Sequence, residues 1–201
     1  MKMIIVTGMS GAGKSTALNV LEDEGYYCAD NMPISLIPKF AELANAGEDE
    51  YSNIAIGVDI RSGHSLIELD AVLDDMKAEH YNYTILFLES RDDVLVKRYK
   101  ETRRTHPLAK DDHDRIDNVI RLEREELKFL KKRADVIIDT SQMLTRELKT
   151  ELENIFFNDK NFKNLFVTVL SFGFKYGIPA DADLVFDVRF LPNPYYIEEL
   201  K

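Results

Sequence analysis

The sequence predicts an α/β fold, a parallel sheet with helices on both faces, followed by a partial β-rich C-terminal domain. Three observations carry this. Met3–Thr7 is an unbroken apolar run closed by Gly8, the pattern of a parallel strand buried on both faces. Further apolar runs of strand length, Ile54–Val58, Thr84–Leu88 and Val136–Ile138, recur with helical segments between them. After about residue 157 the alternation stops at the polar break Asn158-Asp159-Lys160-Asn161.

The elements follow in order. Behind the first strand, Ala17, Leu18 and Leu21 fall on one side of a helix, and Gly25 is placed to cap its C-terminus. Helical spacing also covers Ile34–Ala46, Ser65–Ala78, Asp92–Thr102 and His113–Lys132. Strands alternating with helices form right-handed βαβ units, so the sheet over residues 1–157 is parallel. Residues 158–201 read as the start of a second domain, with strands at Phe166–Phe172 and Leu184–Phe190. So few residues make no independent core. This domain is therefore expected to be incomplete, its apolar face covered either by a missing part or by self-association into a homo-oligomer.

The 201 residues are 45% hydrophobic and 31% charged, which excludes wholesale disorder. No apolar run approaches the roughly 18 residues of a membrane span, and Met3–Val6 is too short for a signal-peptide core. A single cysteine, Cys28, excludes an internal disulfide framework and a multi-cysteine zinc site, and makes the cytoplasm the expected location. The net charge of -10 argues against a whole-surface nucleic-acid binder. Half of the 26 basic residues nevertheless lie in 97–133. That stretch is either a solvated helical face, with Asp117/Arg121 paired and Glu123 and Glu126 among Arg124 and Lys128, or a local anion site.

Gly8-Met9-Ser10-Gly11-Ala12-Gly13-Lys14-Ser15, with Thr16 beyond it, satisfies the P-loop pattern G-x-x-x-x-G-K-[ST], and it follows an apolar strand and opens a helix. Glycines let consecutive backbone N–H groups approach phosphate oxygens, and the helix N-terminus adds partial positive charge. In this P-loop NTPase or kinase-like frame, Lys14 is expected to reach the β- and γ-phosphates of a nucleoside triphosphate, and the Ser15 hydroxyl to ligate Mg²⁺. Asp59, ending the run Ile54–Val58, is the candidate acid for the magnesium shell, with Arg61 in the same loop. Asp139, after Val136–Ile138, is the competing acid, although its strand comes late in the chain to adjoin the loop.

Arg98, Arg103 and Arg104 end a helix just before His106-Pro107, where a mobile segment would lay arginines over a γ-phosphate; the alternative is a basic helix end that satisfies carbonyls. Cys28 reads as a small hydrophobe rather than a nucleophile. Asp30 and Asn31 form a polar loop near the carboxyl edge of the sheet. His64, His80, His106 and His113 show no metal-ligand spacing and read as surface residues.

Several separated segments together resemble one family, the RapZ/YvcJ nucleotide-binding proteins, also called RNase adapter proteins. They are Gly8–Thr16, Gly25–Pro33, Asp59–Ser62, Arg103–Leu108, Ala134–Ser141, Ser171–Pro179 and Asp187–Tyr195, so the match spans the chain. The resemblance implies a kinase-like N-terminal domain that binds ATP and GTP with weak hydrolysis, the first at Gly8–Ser15 and the second involving Asp59, Ile60, Arg61 and Ser62. It also implies a C-terminal domain that senses a sugar phosphate and, in some bacteria, binds small RNA. Family members continue past Lys201 to a glycine- and basic-rich anion site, so this chain is expected to be a truncated form.

Three readings follow. The first is a regulatory P-loop protein with slow NTPase activity, its catalytic set being Lys14, Asp59, Arg103 and Arg104. The second is a small-molecule or nucleoside-monophosphate-type kinase, which needs an acceptor and a residue such as Asp30 to orient it. The third is an RNA-binding adapter that uses nucleotide as a switch.

Overall fold

The structure is a computed structural model that describes residues 2–45, 53–59, 65–102, 106–109 and 114–157, and beyond them 170, 172–173, 177–178, 182, 184–187 and 190. The chain divides into two compact units, Met1–Asn164 and Leu165–Lys201.

In the first unit, five strands form one sheet: β1 (Lys2–Gly8), β2 (Tyr27–Ala29), β3 (Asn53–Gly57), β4 (Tyr83–Glu89) and β5 (Val136–Asp139). Their order is β2-β3-β1-β4-β5 and every pairing is parallel. β1 is central, with Met3 level with Ile54 on one side and Tyr83 on the other. Met3, Ile4, Ile5 and Val6 are all nearly inaccessible, so consecutive side chains are covered on both faces as the apolar run requires. The chain leaves β1 toward β2 and β3, then crosses to β4 and β5. This reversal puts a crevice at the carboxyl end of β1, where sheets of this type bind ligands.

The helices are α1 (Lys14–Asp23), α2 (Ile37–Asn45), α3 (Ser65–Ala78), α4 (Asp92–Thr102), α5 (Ile116–Glu126), α6 (Lys128–Arg133) and α7 (Thr145–Phe156). Gly25 ends α1 as expected. At φ +85° it donates its N–H to Glu22 O, while Tyr26 N–H returns to Leu21 O, which together make a Schellman motif. His80 takes the same position after α3 at φ +62°, its N–H bonding Lys77 O and that of Tyr81 bonding Met76 O.

The expected elements need several corrections. The helix expected over Ile34–Ala46 is a 3-10 turn, Ile34–Leu36, closed by Leu36 N–H to Pro33 O, and only then α2. The single helix expected over His113–Lys132 is interrupted at Leu127, although Leu127 N–H still bonds Glu123 O and Lys131 N–H bonds Leu127 O. β2 was unread because three residues carry too little periodicity, and α7 because only Leu148 and Leu152 are buried along it. In the second unit, Leu170, Phe172, Leu184–Asp187 and Phe190 lie in no strand. Their β-rich composition is a preference that only a hydrogen-bonding neighbour realises. The rest of the two expected C-terminal strands lies outside the described residues. Among the described residues no helix is long and apolar enough to cross a membrane.

Candidate functional site

The site begins where β1 ends. Gly8 has φ +127°, and a Cβ there would fall 2.0 Å from the carbonyl oxygen of Leu88 on β4, so only glycine lets the two strands close at this point. Met9 N–H donates to the same Leu88 oxygen at 2.9 Å. Gly11 and Gly13 are also left-handed, at φ +83° and +108°. They turn the chain into α1, whose N-cap, Gly13, makes no side-chain capping bond. The first-turn N–H groups of α1 have no carbonyl partner within the helix and carry the positive end of its dipole.

A cavity of about 560 Å³ opens over this end. Ser10–Thr16 form its floor, Asp59 one edge, and Arg98, Tyr99 and Thr102 of α4 another; Thr140, Met143, Leu144 and Leu148 close it from the β5–α7 side. Lys14 folds back across the loop, its Nζ donating to Gly8 O at 2.7 Å and lying 3.9 Å from Asp59 Oδ1. Asp59 is brought there because the β3–β1 pairing continues past Gly57, with Val58 N–H donating to Val6 O at 2.9 Å. Of the predicted residues, the structure thus gathers Gly11, Ala12, Gly13, Lys14, Ser15, Thr16, Ser10 and Asp59 around one cavity, with Gly8 and Met9 buried beneath it. Ile60, Arg61, Ser62, Arg103 and Arg104 lie outside the described residues.

Asp139 does not line this cavity. Its Oδ1 accepts the Ser141 N–H at 2.8 Å and also the Ser141 hydroxyl, and β5 is one strand further from β1. It caps the turn that leaves β5. Asp30 accepts the Asn31 N–H at 2.8 Å and packs so closely over Gly57 that a Cβ there would meet Asp30 Oδ1 at 2.5 Å. Cys28 is half-buried with its Sγ 3.3 Å from Leu18 O, and burial, aided by the charge of Glu22, pushes its thiol up to about 11. A thiol held neutral in this way is a poor nucleophile.

For Mg²⁺, the donor chemistry fits. Ser15 and Asp59 put a hydroxyl and a carboxylate, both hard oxygen ligands, on the same cavity as the lysine. Magnesium characteristically takes one or two such protein ligands and completes its shell from substrate phosphates and water.

Three residues escaped the sequence reading. Thr140 is 2% exposed, with Oγ1 2.9 Å from Ala12 O, and it also receives the Arg98 guanidinium. His106, read as a surface residue, is 2% exposed, and Glu123, for which a solvated face is one of the two readings of its stretch, is fully buried. They bond each other at 3.0 Å, and Glu123 Oε1 accepts the Ser10 N–H at 3.0 Å. The signal available was position: Glu123 sits on the face of α5 that also buries Val119, Ile120 and the following Leu127, a carboxylate in an apolar stripe.

Residues 1–160 match the RapZ-like N-terminal domain and residues 165–201 the RapZ C-terminal domain. Among curated relatives, a protein of Lachnoclostridium phytofermentans named nucleotide-binding protein is 60% identical over the whole chain, which covers 70% of that relative. One of the same name from Agathobacter rectalis is 57% identical, again over the whole chain and 68% of the relative. Among solved structures, shikimate kinase from Acinetobacter baumannii in complex with shikimate superposes with TM-score 0.51 at 17% identity, over 78% of this chain and 94% of that one. The tunicamycin resistance protein of Deinococcus radiodurans gives TM-score 0.51 at 13% identity, over 77% and 94%. These structures share the fold, a parallel sheet of the P-loop kinase type. The sequence matches across both parts decide the lineage: the chain belongs to the RapZ-like family.

Proposed function

We propose that this chain is a nucleotide-binding regulatory P-loop protein that takes ATP or GTP at Gly8–Thr16 and hydrolyses it slowly. The observation that carries the reading is Lys14, folded over Gly8 O and beside Asp59 at the floor of a cavity onto which the uncapped start of α1 opens. The relatives' name, nucleotide-binding protein, supports it. In this reading the N–H groups of the α1 first turn and the Lys14 ammonium hold the phosphates. Met143, Leu144 and Leu148 supply the apolar side of the cavity against a nucleobase.

Ser15 and Asp59 would hold Mg²⁺, which when bound would neutralise negative charge on the phosphates. Arg103 and Arg104 are proposed to offset charge on the γ-phosphate, and Asp59, Ile60, Arg61 and Ser62 to serve the second nucleotide, as the family resemblance implies. Calorimetric titration with ATP and GTP tests the reading. The native chain is expected to bind, and Lys14→Ala to lose nearly all affinity while its circular dichroism stays native. Equal affinity in a folded Lys14→Ala variant would show that the loop is not the site.

A further inference from the structure

We propose that Glu123 is a positioning residue of the glycine-rich loop: with His106 it pins the Ser10 backbone and so sets the loop in its triphosphate-binding form. The proposal rests on the nucleotide reading of this loop.

Both side chains are fully buried. A buried carboxylate is costly unless its oxygens are bonded, and here each has a separate task. Oε1 accepts the Ser10 N–H at 3.0 Å, and Oε2 faces His106 Nε2 at 3.0 Å. The tautomer follows from the other ring nitrogen. Leu108 N–H donates to Nδ1 at 3.1 Å, so the proton sits on Nε2 and is donated to Glu123. The imidazole also lies 5.1 Å from the Tyr99 ring, which lines the cavity. The Glu123 carboxylate thereby joins the loop to the 106–109 segment, whose imidazole packs against α4.

The loop amides divide accordingly. Those of Met9, Ser10 and Ala12 go to Leu88 O, Glu123 and Met9 O, whereas the first turn of α1 has no carbonyl partner within the helix. Glu123 thus claims one amide and its negative charge keeps a phosphate from that position, which fixes where along the loop the phosphates sit. Ser10 gives a second, independent observation. The residue is 5% exposed and lines the cavity, and its Oγ has no hydrogen-bond partner among the described residues. A hydroxyl buried in that state is a donor waiting for a ligand oxygen, and the pinned main chain aims it.

Glutamine at 123 has one acceptor oxygen and so serves only one of the two N–H groups; switching the His106 tautomer would forfeit the Leu108 bond instead. The test measures the dissociation constant of a fluorescent ATP analogue with Mg²⁺ for the native chain, Glu123→Gln, His106→Phe and the double variant, with folding checked by circular dichroism. Each single variant is expected to bind about tenfold more weakly, and the double variant no worse than the weaker single, because the two act as one network. In the ¹⁵N-labelled native chain, saturating ATP and Mg²⁺ are expected to shift the Ser10 amide resonance. Unchanged affinity in folded Glu123→Gln, or fully additive losses, overturns the proposal. If the variants fail to fold, an unmoved Ser10 resonance in nucleotide-saturated native protein overturns it. A native chain that binds neither ATP nor GTP overturns the nucleotide reading itself, whereas native binding matched by Glu123→Gln overturns only the role of Glu123.

Discussion

Arg98 and Thr140 are joined twice: Nη1 donates to Thr140 Oγ1 at 3.0 Å and Nη2 to its carbonyl at 2.7 Å. The same Nη1 reaches Gly11 O at 3.0 Å, so one guanidinium stitches α4 to the glycine-rich loop and to the exit from β5. Arg98 thus donates to the loop and to Thr140 while it also lines the cavity.

Replacing Arg98 tests how much of the loop's rigidity depends on that fork. Lysine keeps the charge but has no planar pair of donors. Arg98→Lys is expected to cost about 1 kcal/mol of stability in urea unfolding, because Thr140 O loses the shorter of its two donors and keeps only the Met143 N–H at 3.3 Å. An unchanged unfolding midpoint would mean that water replaces the guanidinium without loss.

Asp59 is proposed to act through the metal rather than on the nucleotide directly. Asp59→Asn is therefore expected to raise the Mg²⁺ concentration needed for half-maximal hydrolysis while leaving metal-free nucleotide binding little changed. The same substitution removes the charge 3.9 Å from Lys14 Nζ, so metal-free affinity should, if anything, rise. A native Mg²⁺ titration in the variant would move the metal away from Asp59.

The strand–loop–helix opening was legible because each part carries its own local signal: an apolar run, glycines at the positive-φ positions, and helical spacing behind them. The position of Asp59 beside the loop was legible because a carboxylate ending an apolar strand is a local pattern as well. Glu123, His106 and Thr140 were not. Each takes its role from partners distant in sequence, 113 residues away for Glu123 and Ser10, and 128 for Thr140 and Ala12. Position on a buried helical stripe hinted at Glu123, but its charged neighbours pointed equally to a solvated face. β2 was lost for the opposite reason, since Tyr27–Ala29 pairs with Ile54–Ile56 through main chain that carries little side-chain signature.

Gly8 and Gly25 separate space from conformation. Both have positive φ, but a Cβ at Gly25 meets nothing within 4 Å, while one at Gly8 falls 2.0 Å from Leu88 O. Gly25→Ala is expected to cost about 1 kcal/mol from backbone strain alone. Gly8→Ala should cost several kcal/mol, because β1 and β4 must also part, and should abolish nucleotide binding. Equal thermal shifts for the two variants would contradict the close approach of the strands.

Cys28 yields the pH prediction. Burial is the larger cause and Glu22 the smaller, and together they lift the thiol from an ordinary 9.0 to about 11. The unfolded chain therefore releases this proton first as pH rises. What the neutral thiol contributes to stability is present in full below about pH 9 and is lost as the pH climbs through about 11. Alkylation by iodoacetamide reads the same group directly, since only the thiolate reacts. In the folded chain the rate should stay low at pH 8 and rise toward about 11, whereas in urea-unfolded chain it should rise around 9. Cys28→Ser, which removes the titrating group, should abolish this alkaline loss of stability. A folded-state alkylation profile centred near 9 would show that burial and the Glu22 carboxylate do not hold the thiol neutral.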